Sequence, residues 1–233
     1  MLVDVTIANG KQTVVPSKRD SIVLIACESS GALRDKCIDN GILAFSVDLE
    51  NADGKHKNFH IKGDVFKAYE ILSQLFEIKM LIGHPPCTYL TNASIGWMWN
   101  EKPSTDTCKR GFDRYKAMID GANFFNDLRD LPIKYKALEN PIPHKYAKAI
   151  IGKYDMLTQP YHHGHNESKA TCFWLDNLPP LFKTKVVKNE GSKMHKLPPT
   201  KDRWKLRSKT FDGIAEAMFQ QWVRPIMNGW VKA

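Results

Sequence analysis

The sequence predicts an α/β fold built on an open, mainly parallel sheet, and three observations carry that expectation. Short apolar runs rich in β-branched residues alternate with stretches whose apolar positions recur at helical spacing. Turns of small, polar or proline residues follow several of those runs. The residue types able to do chemistry collect in the same turns, just beyond the carboxyl ends of the expected strands, where open α/β sheets bind their ligands.

Taken in order, residues 3 to 15 alternate around Asn9-Gly10, the signature of a two-residue hairpin, expected to cap an edge of the main sheet. Residues 22 to 26 read as the first buried strand, and Cys27-Glu28-Ser29-Ser30-Gly31 leads into a helix through Cys37, the opening of a βαβ unit. Ile42 to Val47 gives a second strand ending at Asp48, and Phe59 to Ile61 a short third before Gly63-Asp64. Val65 to Phe76 reads as a helix returning the chain to Lys79–Gly83, a strand that Pro85 and Pro86 cannot continue. Residues 92 to 110, with Trp97 and Trp99, have no clean period and read as a loop over the active face. A helix over 112 to 130 and a strand through Tyr135 and Leu138 deliver Glu139-Asn140-Pro141. A short helix, a strand near 155 to 158 leading to Gln159-Pro160-Tyr161, the basic region after 170 to 175, and an amphipathic helix over 211 to 226 complete the chain.

Three units are expected: a catalytic core with its hairpin over 1–176, a small basic insertion over 177–210, and a returning helix over 211–233. The 233 residues carry a formal charge of +9. Between 183 and 209 ten lysines and arginines face two acids, so nearly the whole excess lies there. Such a surface suits a polyanion, because neutralising phosphates releases counterions. Five cysteines without a C-x-x-C pair argue for a reduced, cytoplasmic setting rather than a disulfide scaffold or four-cysteine zinc site. No apolar run approaches the roughly 20 residues of a membrane span.

Cys87 is the candidate nucleophile, presented on a rigid turn beyond a strand. Most free cysteines are small buried hydrophobes, and its neighbours raise its claim. Gly31 permits close approach at the first helix's start, Asp48 is placed to accept from ribose hydroxyls, and Asp64 either pairs with an adenine amino group or caps the next helix. The loop is not Gly-x-Gly-x-x-Gly, and Glu28 would repel a pyrophosphate yet tolerate a cation. An adenosine-containing cofactor with a positive group, S-adenosylmethionine, suits it. Glu28 also reads as an ordinary first-turn helix charge.

These blocks resemble the cytosine carbon-5 DNA methyltransferase family. The matching residues are Ala26-Cys27-Glu28-Ser29-Ser30-Gly31, Asp48, Asp64, Gly83-His84-Pro85-Pro86-Cys87 and Glu139-Asn140-Pro141, within about residues 22 to 228. The resemblance implies a Rossmann-like S-adenosylmethionine-dependent methyltransferase sheet in a compact phage or prokaryotic member. It implies that Cys87 attacks carbon 6 of a cytosine while Glu139 holds or protonates nitrogen 3. It also implies a cofactor site of Cys27, Glu28, Ser29, Gly31, Asp48, Asp64 and Pro85. Pro86, Asn140, Gln159, Lys169, Arg203 and Arg207 are then the substrate-contacting candidates. DNA is the implied partner, with neither a membrane nor an obligate protein partner. The short basic insertion implies little dependence on sequence context.

Two blocks depart from the family pattern. Gln159-Pro160-Tyr161 lacks its neighbouring arginines, and Gly213-Ile214-Ala215-Glu216 lacks the Gly-Asn pair. RNA, single-stranded DNA or a free cytosine nucleotide therefore stay open as acceptors, as does a catalytically silent nucleic-acid-binding protein. An amino-directed methyltransferase fits the flanks of Pro85-Pro86 poorly. A metal held by His162, His163, His165 and Cys172 is disfavoured, because neighbouring histidines need not face one ion.

Overall fold

The computed structural model describes residues 3–8, 11–16, 20–100, 102–105, 108–192, 207 and 209–229, the first two ranges by backbone alone. Strands β3 (Ser21–Ala26), β4 (Ala44–Asp48), β5 (His60–Lys62), β6 (Glu77–Gly83), β7 (Tyr135–Asn140), β8 (Met156–Thr158) and β9 (Thr171–Asp176) form a seven-stranded sheet ordered β5-β4-β3-β6-β7-β9-β8. All neighbouring pairs from β5 to β7 are parallel, and β9 runs antiparallel to both of its neighbours. The chain builds outward from β3 to β5, crosses back to β6 beside β3, and then builds the other way. The carboxyl ends of β3 and β6 therefore flank the point where strand order reverses, the usual ligand crevice of such sheets.

Alternation within β3 explains its unbroken apolar run. Ile22, Leu24 and Ala26 join one core with α2 (Val65–Leu75), α3 (Gly111–Arg129) and α4 (Lys145–Ile151). Val23 and Ile25 face the opposite core with α1 (Ala32–Asp39) and the closing helical segment. Both faces are covered from Ile22 to Ala26, which is why the run after Ser21 is apolar without a break. The closing segment is helical over Asp212–Met218, a π turn over Phe219–Val223 and helical again over Arg224–Met227. The turn lies where Trp222 is fully buried and its Nε1 donates to Pro179 O at 2.8 Å.

Two expectations change. The hairpin β1 (Val3–Ala8) and β2 (Lys11–Pro16) forms, but as a separate two-stranded sheet rather than an edge of the main one. The stretch after Cys87 is not wholly irregular, because Asn92–Trp99 is 3-10 helical. After Asp176 the chain is fastened to the core. Leu181 is buried, and Phe182 N donates to Gln221 Oε1 while Phe182 O accepts from Gln221 Nε2. No helix among the described residues is long and apolar enough to cross a membrane.

Candidate active site

Gly83 ends β6, and the next residue turns out of the sheet with His84 N still bonded to Ala26 O of β3 at 2.9 Å. Pro85 and Pro86 lack N–H groups, so the chain leaves the ladder and presents Cys87, half-buried, on the following turn. That turn is clamped from the β7–α4 connection. Asn140 Nδ2 donates to Pro85 O at 2.9 Å, and His144 N donates to Leu90 O at 2.9 Å. His144 Nε2 bonds Tyr89 O at 3.0 Å, while its Nδ1 accepts from Ala147 N, which fixes the ring's tautomer. Arg114 of α3 adds a donor to Thr88 O at 3.2 Å and stacks over the Tyr89 ring.

Glu139 sits one residue before the end of β7, beside this loop. Its Oε2 accepts from His84 Nδ1 at 3.2 Å, with the two side chains 16% and 10% exposed. Both line a cleft of about 250 Å³, open mouth included, with Lys169, Thr171, Phe211 and Ile214. Burial would raise the Glu139 carboxyl, but the bond and charge of His84, with Lys169 beyond, outweigh it and hold the group below its usual range. Cys87 shifts the other way. Burial and then the Glu139 charge push its thiol up, and the cations of Lys169 and Arg207 oppose part of that rise. Cys87, Glu139, Lys169 and Arg207 thus share one electrostatic neighbourhood.

This coupling has a measurable consequence. Alkylation of Cys87 by iodoacetamide, followed peptide by peptide, should be slow at neutral pH and rise through a midpoint above that of an ordinary thiol, because the thiolate is the reacting form. Glu139→Gln should move that midpoint down and Lys169→Met should move it up. A midpoint indifferent to Glu139→Gln would show that the carboxylate does not act on the sulfur.

The expected cofactor residues gather at the neighbouring strand ends. Cys27 follows β3 in the left-handed region, φ 57°, and burial followed by the charges of Asp48 and Asp64 pushes its thiol up to about 12. Those two carboxylates therefore face the same corner. Asp48 Oδ1 accepts from Glu50 N at 2.9 Å, and Asp64 caps α2 by accepting from Phe66 N and Lys67 N at 3.0 Å each. Glu28 is 7% exposed and turned inward. It accepts from Gly31 N at 2.9 Å and from Ser30 Oγ, so it secures the entry to α1, where Gly31 takes φ 77°. Ser29 O accepts from Asp53 N at 2.8 Å, closing the loop over this corner. Pro85 is buried beneath the adjoining turn and Pro86 is exposed.

Of the substrate candidates, Asn140 is fully buried and anchors Pro85, with its Oδ1 lacking a hydrogen-bond partner. Gln159 Oε1 accepts from Lys169 N at 2.9 Å, and Lys169, which lines the cleft, donates from Nζ to Lys209 O at 3.2 Å. Arg203 lies outside the described residues. His84 was not among the expected site residues, although its place between Gly83 and Pro85-Pro86, on the Cys87 turn, was the available signal.

The histidines near 162 do not converge. His163 bonds Thr158 Oγ1 at 2.9 Å and Thr184 Oγ1 at 3.0 Å, while His165 Nε2 accepts from Gly213 N at 3.0 Å. Among the described residues no group of three or more histidines, cysteines or acids could hold a metal ion.

No protein-family model and no curated protein matches the chain. Among solved structures, it is similar to a protein described as a DNA modification methyltransferase encoded within an E. coli prophage, at 16% identity over 67% of this chain and 46% of that one, TM-score 0.42. It is also similar to the Entamoeba histolytica methyltransferase EhMeth, at 16% identity over 79% of this chain and 61% of that one, TM-score 0.38. The chain thus spans less than two thirds of either structure's length. Neither likeness bears on activity. The strand order, with its single reversal point and one antiparallel strand, is that of the Rossmann-like sheet of S-adenosylmethionine-dependent methyltransferases.

Proposed function

We propose that the chain transfers a methyl group from S-adenosylmethionine to carbon 5 of a cytosine in DNA, with Cys87 as nucleophile and Glu139 acting at the base. The observation that supports this best is that the Glu139 carboxylate lies near enough to Cys87 to act on its thiol, on a turn that Asn140 of β7 clamps. The corner of Cys27, Asp48 and Asp64 offers acceptors for ribose hydroxyls and an amino group, which suits the adenosine part of S-adenosylmethionine. Gly31, Ser29, Glu28 and Pro85 would complete its walls. When bound there, the cofactor supplies an electrophilic methyl group.

The chain's residues then divide the work. The Cys87 thiolate adds to carbon 6, forming a carbon–sulfur bond and moving ring electrons toward carbon 5 and nitrogen 3. Glu139 steadies nitrogen 3 as that charge develops. After methyl transfer, loss of the carbon 5 proton restores the ring double bond and expels the sulfur, for which a thiolate is a good leaving group. Asn140 keeps the Cys87 turn in register, while Lys169 and Arg207 are the cations that would meet the phosphates. In duplex DNA the base must first be extruded, at a cost of roughly a few kcal/mol.

The test is incubation with labelled S-adenosylmethionine and DNA containing 5-fluorocytosine. The fluorine cannot leave as a cation, so the expected result is a stable, labelled protein–DNA adduct carried on the Cys87 peptide. Salt-sensitive DNA binding with neither adduct nor methyl transfer would support a silent nucleic-acid-binding protein instead.

A further inference from the structure

The proposed reaction makes no use of a group of aromatic side chains that stand in solvent on the segment after Cys87. A single exposed ring needs no explanation, but several gathered in one place mark a surface that meets a partner. Among the described residues five aromatic side chains are largely exposed, and four of them, Trp97, Trp99, Phe112 and Tyr115, fall in one stretch of sequence, at 42, 70, 72 and 45% exposure. Trp97 and Trp99 close the 3-10 stretch Asn92–Trp99, and Phe112 and Tyr115 open α3. The two elements meet there, because a Cβ on Gly111 would lie 3.4 Å from Asn100 O.

Cations are interleaved with these rings. Phe112, Tyr115 and Lys116 share one face of α3, at i, i+3 and i+4. The two rings lie within 18° of parallel with centroids 6.4 Å apart, and Lys116 Nζ is 5.2 Å from the Phe112 centroid and 3.5 Å from Asp113 Oδ1. The Arg110 guanidinium lies 5.4 Å from the Trp97 centroid, and Trp99 meets Tyr146, whose ring carries Lys145 Nζ at 4.9 Å. Between 97 and 116 five lysines and arginines stand against three acids. The start of α3 also reaches the Cys87 turn from its buried side, where Arg114 donates to Thr88 O at 3.2 Å.

We propose that this surface binds single-stranded DNA, with unpaired bases beside the target stacking on Trp99 and Phe112 while Arg110, Lys116 and Lys145 meet the phosphates. Every unpaired base offers an open ring face, so such a platform is tolerant of sequence. Bases inside a duplex are covered by their neighbours and cannot use it. The assignment rests on DNA being the partner and not on the covalent step, and it names the unpaired strand as the acceptor.

The experiment measures fluorescence anisotropy with the full chain and three probes of about 15 nucleotides: a labelled single strand, the same sequence as a duplex, and a single strand of abasic sites. The wild type should bind the single strand at least about tenfold tighter than the duplex. Trp99→Ala with Phe112→Ala removes the two most exposed rings. That pair should weaken the single strand roughly tenfold or more and change the duplex and the abasic strand by less than about threefold. Trp99→Phe with Phe112→Tyr keeps the ring faces and should stay within about threefold of wild type, which separates stacking from damage to the fold. An alanine pair that binds the single strand as wild type does, or loses the abasic strand equally, overturns the platform. So does a wild type that prefers the duplex, or one whose sedimentation shows a dimer that the alanine pair loses, which would give the surface to a second copy of the chain. Ring-dependent single-strand binding without a fluorocytosine adduct upholds the platform and sinks the cytosine reading alone. Methyl transfer to single-stranded DNA with KM undiminished in affinity by the alanine pair does the reverse.

Discussion

Cys87→Ala is expected to lower methyl transfer by roughly 10⁴-fold or more, the scale seen when a covalent nucleophile is lost. It should also abolish the fluorocytosine adduct while leaving S-adenosylmethionine binding within about threefold, a difference of under roughly 1 kcal/mol. The separation follows from the layout. Cys87 lies on the turn after β6, whereas the candidate cofactor corner of Cys27, Asp48 and Asp64 is built on the ends of β3 and β4 and the start of α2. Removing the sulfur leaves the clamps from Asn140 and His144 in place, because they hold backbone carbonyls of Pro85 and Tyr89. Glu139→Gln should cost less, roughly 10² to 10³-fold in kcat, since it removes assistance at the ring and not the bond-forming atom. Single-turnover methyl transfer with quantified adduct checks both. A Cys87→Ala protein that still methylates cytosine at a wild-type rate would end the covalent reading.

Gly213→Ala should destabilise the chain by about 3 kcal/mol, from overpacking against rigid backbone. A Cβ on Gly213 would lie 1.9 Å from His163 O and 3.0 Å from the His163 carbonyl carbon, and neither atom can swing aside as a side-chain tip could. Relief requires the 160–165 turn or the closing helix to move, and the bond from Gly213 N to His165 Nε2 would be disturbed with it. For a chain of this size the melting temperature should fall by roughly 6 to 12 °C. Gly63→Ala is the control. Nothing lies within 4 Å of its added Cβ, and a shift within about 0.5 kcal/mol is expected. Thermal unfolding of both variants decides the matter, and equal melting temperatures would mean that the turn and the closing helix are not in contact as described.

Much of the sheet was legible because its central strands are buried on both faces. An apolar run such as Ile22 to Ala26 has few alternatives when short and bounded by polar turns. Edges were less legible. The second strand was expected to start at Ile42, but Ile42 N bonds back to Cys37 O and the ladder begins at Ala44. The π turn at Phe219–Val223 has the same apolar spacing as continuous helix. The hairpin could be read from Asn9-Gly10, whereas its separation from the main sheet depends on pairing partners that no local pattern specifies. In the site, Cys87 and Glu139 were visible from their positions after expected strands, and the Glu139 charge acts on the Cys87 thiol. The His84–Glu139 bond was not visible, because the two residues are far apart in sequence and are brought together by the parallel pairing of β6 with β7.

The same short connection that carries Glu139 also grips the turn bearing Cys87, through Asn140 and His144. Sulfur and carboxyl are therefore mounted on one stiff bracket instead of on two parts that must close around the base. In the proposed reaction the two groups would be aligned as the chain folds, leaving the energy of binding nucleic acid for bending the substrate to meet them.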